Sequence, residues 1–118
     1  MRRDLDLIRL ILLELEAHQA PTRPLQIQAE GYSPEQIAYH VKLLTEAGYV
    51  DAENLSAMGA LDWRPKSLTA AGHDALDAIR NDTVWHKVKA QLKDRAISVP
   101  MATLVEFAAK LVKHKLGL

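Results

Sequence analysis

The chain has 118 residues, which suits one domain, and 48% of them are hydrophobic, too many for a disordered segment. It has no cysteine, which excludes disulfides and thiolate metal sites and fits a reducing cytosol. The 15 basic and 15 acidic side chains cancel, but unevenly: residues 1–80 hold 8 basic against 12 acidic, a net −4, and residues 81–118 hold 7 against 3, a net +4. Nucleic-acid-binding domains are usually basic, because neutralising phosphates drives their affinity, so the acidic first part counts against such a role.

The first predicted helix covers residues 4–18. Asp4 is placed to cap it and Asp6 suits the positive end of its dipole. Leu5, Ile8, Ile11, Leu12 and Leu15 make one apolar face, and Leu7, Leu10 and Leu13 continue it around the helix. A helix apolar nearly all round must be covered on more than one side. The second cover comes either from the C-terminal helices or from another subunit. The run 5–15 is too short and too charged to cross a bilayer, and no secretory cleavage pattern follows it.

Pro21 and Pro24 end that helix. Leu25 and Ile27 then alternate with Gln26 and Gln28, the period of a half-buried strand, before a turn at Glu30 and Gly31. Residues 33–47 read as a second helix, with Ser33 as cap, Pro34 at the first position, Gln36 completing a capping box and Gly48 ending it. Tyr32 stands where it can staple against Ile37 or Ala38. Residues 49–55 and 61–68 are predicted strands, joined by a glycine-containing loop at 56–60. Leu61 and Trp63 share one face of the second strand, Asp62, Arg64 and Lys66 the other, and Pro65 keeps it at an edge. Thr69 caps a helix at about 70–80, and Asn81 or Asp82 caps another at about 83–95. A linker at 97–100 leads into a last helix that Pro100 opens and that runs to about residue 115.

The order predicts a mostly helical α+β fold of one domain, residues 1–118. Residues 1–68 form a winged helix-turn-helix-like core with its wing hairpin at about 49–68, and residues 69–118 form a helical extension. The usual helix before the recognition helix is missing, and only a turn or a single helical turn fits between Gln28 and Tyr32. The opening MRRDLDLIR, the block from Gly31 to Gly48, the block from Leu68 to Trp85 and the closing KLGL together resemble an uncharacterised, phage-related, YjcQ-like family of winged-helix-like proteins. That resemblance covers nearly the whole chain and implies a fold, with no activity to carry over. A separate likeness, in the pattern of residues 43–50 and 68–72, is to bacterial winged-helix regulators.

In the reading as a DNA-binding transcriptional regulator, the 33–47 helix enters the major groove of double-stranded DNA. Ser33, Glu35, Gln36, Tyr39, His40 and Leu43 are expected to face out, with Lys42 at the border. Gln36 would take adenine bidentately and Glu35 would accept from cytosine, while Arg64 and Lys66 on the wing would hold the backbone. One protomer offers few cations, so the reading is linked to a homodimer, with Leu7, Leu10, Leu104, Phe107 and Leu111 expected at the seam. The alternative is a protein-interaction adaptor that kept the scaffold without binding DNA. A second phosphate surface on the lysines of residues 87–115 competes with plain solvation of those helices. No catalytic constellation, metal site, cofactor, small-molecule substrate or membrane partner is expected: the histidines His18, His40, His73, His86 and His114 are scattered, and no phosphate loop or nucleophile elbow is present.

Overall fold

The computed structural model describes residues 1–93 and 99–116, without the side chains of Lys115 and Leu116. Its elements are α1 (Leu5–Ala17), α2 (Pro34–Glu46), β1 (Val50–Asn54), β2 (Trp63–Leu68), α3 (Ala70–Ile79), α4 (Asp82–Leu92) and α5 (Met101–Leu116). This is an α+β, mostly helical, winged-helix-like fold. The predicted end of the fourth helix at Asp94 and Arg95, and Ile97 and Ser98 of the linker, lie outside the described residues.

The starts of α1 to α4 each have a chemical cause. Asp4 Oδ1 accepts from Leu7 N at 3.0 Å, Thr69 Oγ1 from Gly72 N at 3.0 Å and Asn81 Oδ1 from Val84 N at 3.0 Å. These satisfy amides that have no partner inside their helices. Ser33 and Gln36 form the complete capping box, with reciprocal bonds of 3.1 and 2.9 Å. At the other end of α2, Tyr49 N reaches back to the Leu44 carbonyl and Gly48 N to that of Thr45. This is a Schellman turn, and Gly48 takes its left-handed position at φ 85°.

The segment predicted as a short strand at 25–28 is not one. Ile27 is buried, Leu25 half-buried and the glutamines between and after them exposed, as the alternation required. Only one ladder-like bond forms, from Leu25 N to the Pro65 carbonyl at 2.8 Å. The missing helix is replaced by a turn, closed by Tyr32 N on the Ala29 carbonyl with Gly31 at φ 86°.

β1 and β2 pair antiparallel, with Val50 opposite Leu68 and Asn54 opposite Trp63. The register slips between Asp51 and Ala52, which face Ser67 and Pro65, so Lys66 is the extra residue of a bulge. The predicted simple alternation therefore breaks at Pro65 and Leu68, which turn inward three residues apart, while Arg64 lies opposite Glu53 and Lys66 reaches that same side chain at 3.8 Å. At the tip, Ala57 and Ala60 exchange both backbone bonds around Met58 at φ 53° and Gly59 at φ 82°. Two left-handed residues in succession match the twist of the strands, as in a type I′ turn.

α1 is the centre of the molecule. It packs on α2, β2 and α3, and Leu7, Ile11 and Leu12 are fully buried. Its second cover is thus the chain's own C-terminal part. One hydrophobic cluster runs from Leu5 through Leu76, Ile79 and Trp85 to Leu104 and Ala108. Leu7, at 0% exposure, and Leu104, at 1%, are consumed by this core. Their expected place at a dimer seam is corrected, because a side chain already packed inside its own protomer has no surface to give.

Polar contacts fasten the extension to α1. Trp85 Nε1 and Lys89 Nζ both donate to Asp6 Oδ1 at 2.8 Å. Arg9 donates to the Ile79 and Arg80 carbonyls at 2.9 and 2.6 Å, occupying acceptors left over at the end of α3.

Candidate nucleic-acid interface

The N-terminal turn of α2 sits beside the second strand of the hairpin. Pro34 and Ile37 line a shallow cleft of about 80 Å³ with Gln26, Gln28, Trp63 and Arg64. A small-molecule site normally encloses about 300 Å³ or more, so this cleft is a seam between elements rather than a ligand pocket. Ser33, Pro34 and Glu35 are exposed, and Gln36, Tyr39, Lys42 and Leu43 are half-buried. These positions share the side of α2 away from Ile37, Val41 and Leu44, and Pro34 is the one of them that lines the cleft with the hairpin.

His40 does not belong to that surface. It is 1% exposed, and its expected outward position is corrected. Asp4 N donates to Nε2 at 2.8 Å and Nδ1 meets the Gln36 carbonyl at 2.7 Å. An amide can only donate and a carbonyl can only accept, so the ring carries its proton on Nδ1 and offers Nε2 as acceptor. The signal was in the spacing: His40 lies three residues after Ile37 and four before Leu44, both inward, so it shares their face. His40 locks the start of α1 onto α2. Tyr32 joins the same junction: burial and a hydrogen bond to Asp4 raise its phenol above the ordinary tyrosine range.

Gln36 is held as well. Its Oε1 accepts from Ser33 N, so the side-chain amide cannot present a donor and an acceptor to adenine without opening the capping box. The bidentate role expected for it is therefore not available in this conformation. Ser33 Oγ is likewise engaged by Gln36 N.

The cations of the surface have partners of opposite sign within the chain. Lys42 lies 3.7 Å from Glu46, Arg64 3.1 Å from Asp62 and Lys66 3.8 Å from Glu53. Surface pairs of this kind are worth only about 0–1 kcal/mol, so a phosphate can compete for them, but they leave the face close to neutral. What sequence reasoning missed is the tip of the hairpin. Leu55 is exposed and Met58 fully so, beside Ala57 and Ala60. The uncharged run from Asn54 to Leu61 was the readable sign of it.

A capped helix packed across a two-stranded hairpin on a helical body defines the chain as a winged-helix-like protein. It belongs to the family described as "Hypothetical protein (DUF2513)", whose pattern it matches over residues 2–98. An uncharacterised protein of Haemophilus influenzae is 35% identical over 118 residues, covering 99% of this chain and 100% of the relative. No solved structure matches the chain. Among the described residues, no helix is long and apolar enough to cross a membrane.

Proposed function

We propose that the chain binds double-stranded DNA through the exposed side of α2 and the adjoining hairpin, and acts in transcriptional control. The observation that carries the reading is the exposed, serine-capped first turn of α2 standing beside the Arg64 strand. Glu35, Tyr39, Lys42 and Leu43 are the side chains placed to meet base edges and backbone, with Arg64 and Lys66 exchanging their carboxylates for phosphates. The resemblance at residues 31–48 and 68–85 is the ground for proposing a relation to phage-borne proteins. A homodimer would double the cations presented, and Leu10, Phe107 and Leu111, all half-buried, are the apolar positions left to form it. Selection of bound fragments from a random duplex pool tests the reading. A recovered motif is expected, with sequence preference lost in the Glu35→Ala, Tyr39→Ala double variant. Recovery of unselected sequence alone would defeat it.

Two observations favour a second reading, a protein-binding adaptor. The internal pairing of Lys42, Arg64 and Lys66 and the apolar hairpin tip at Leu55 and Met58 are what a protein partner uses. Failure of the full chain to bind any duplex at low salt, together with loss of a captured partner on Leu55→Ser and Met58→Ser, would favour it over DNA.

A further inference from the structure

We propose that the exposed lysines Lys87 of α4, Lys93 at its C-cap, and Lys110 and Lys113 of α5 grip the backbone of duplex DNA, while the α2 face supplies sequence preference. The inference rests on the DNA-binding reading above and assigns its electrostatic part to a different surface.

The three cations of α2 and β2 each have a carboxylate of their own chain within 4 Å. On α4 and α5, which pack against each other, Lys89 is paired with Asp6. Lys87, Lys93, Lys110 and Lys113 are exposed, and none has a carboxylate partner among the described residues. The acidic side chains of the described parts of these helices are Asp82, engaged by Arg9, and Glu106. Binding of a polyanion is driven by cations that release its counterions, and a lysine already neutralised releases fewer. Lys87, Lys93, Lys110 and Lys113 are therefore available to phosphates, whereas the wing must first break its own pairs.

An anionic membrane is the other polyanion such lysines meet. A helix that binds a membrane surface pairs its basic face with an exposed apolar one. Here the large apolar side chains exposed among the described residues are Met1, Leu55 and Met58, none of them on α4 or α5, and Leu104 and Ala108 point into the core.

The test is fluorescence anisotropy of the full chain with a duplex of mixed sequence, between about 50 and 200 mM salt. Each phosphate neutralised contributes about −0.9 to the slope of log affinity against log salt. Changing all four lysines to alanine is expected to flatten that slope by about 3 to 4. The Glu35→Ala, Tyr39→Ala variant is expected to keep the slope and lose only preference for the selected motif. If the lysine variant keeps the wild-type slope while the wild type binds, this inference falls and the α2 reading stands. If the wild type binds no duplex, both fall. Binding confined to phosphatidylserine vesicles, and lost in the lysine variant, would assign the patch to lipid and overturn the proposal.

Discussion

His40 and Gly72 show how single positions carry this fold. The buried His40 accepts a hydrogen bond from the part-buried Asp4 amide, so His40→Ala leaves that donor without its partner. That costs about 1–3 kcal/mol, and the urea midpoint is expected to fall with little change in slope. Any loss of DNA affinity in this variant is expected to track its loss of folding, which anisotropy at two temperatures separates from a contact effect. Gly72 is constrained by space. A Cβ there would stand 2.0 Å from the Tyr49 carbonyl oxygen, which accepts the Thr69 amide, while the Thr69 hydroxyl donates to the Gly48 carbonyl. The Leu-Thr-x-x-Gly spacing at residues 68–72 is thus a clamp between the start of α3 and the turn after α2. Gly72→Ala must push backbone apart and is expected to cost about 3 kcal/mol or more, read as a lowered thermal midpoint. Neither residue is exposed on the candidate interface, although both lie in blocks that a motif search would single out for function.

At the level of elements, the joint between α1 and α4 is the one that pH should reach. Burial tends to raise the Asp6 carboxyl, but hydrogen bonds from Lys89 and Trp85, with the charges of Lys89 and Arg9, outweigh it and hold the group below the usual carboxylate range. A carboxylate lowered in the folded state stabilises fully above its unfolded value, near 4, and loses that contribution as pH falls through the folded value. Asp6→Asn is therefore expected to be less stable than wild type at pH 7, by about 1 kcal/mol for a half-exposed group. The difference is expected to close as the pH drops below about 4. Parallel urea titrations across that range check it, and a gap that persists at low pH would mean that Asp6 acts by packing alone. The capping box, the Schellman turn and the glycine of the hairpin were all legible, because each depends on residues within a few positions of one another. The bulge at Lys66 was not: it depends on Pro65 meeting both β1 and the 25–28 segment, and no local pattern announces that.

For the molecule as a whole, the question set by α1 was what covers its second side. The chain answers it internally with α3 and Trp85, which removes Leu7 and Leu104 from any interface and leaves Leu10, Phe107 and Leu111 half-buried. Sedimentation equilibrium over a concentration series is expected to show a dimer that Phe107→Glu with Leu111→Glu dissociates. A monomer at every concentration would remove the dimer and halve the cations available to DNA. The two halves also divide by charge, −4 against +4. Together with the pairing of Lys42, Arg64 and Lys66, that division leaves the unpaired cations of the described residues mostly on the C-terminal helices.

The sequence by itself determined the order and capping of the helices, the place of the hairpin and the charge of each half, since periodicity, caps and turns are short-range and charge is a simple count. Only the tertiary structure decided that His40 turns inward, that Gln36 spends its carbonyl on Ser33, that Leu7 and Leu104 are core and that the wing's cations are paired at home. Those outcomes depend on which distant atoms come within about 3 to 4 Å, the range over which hydrogen bonds and ion pairs act. Spacing along a chain constrains that only weakly.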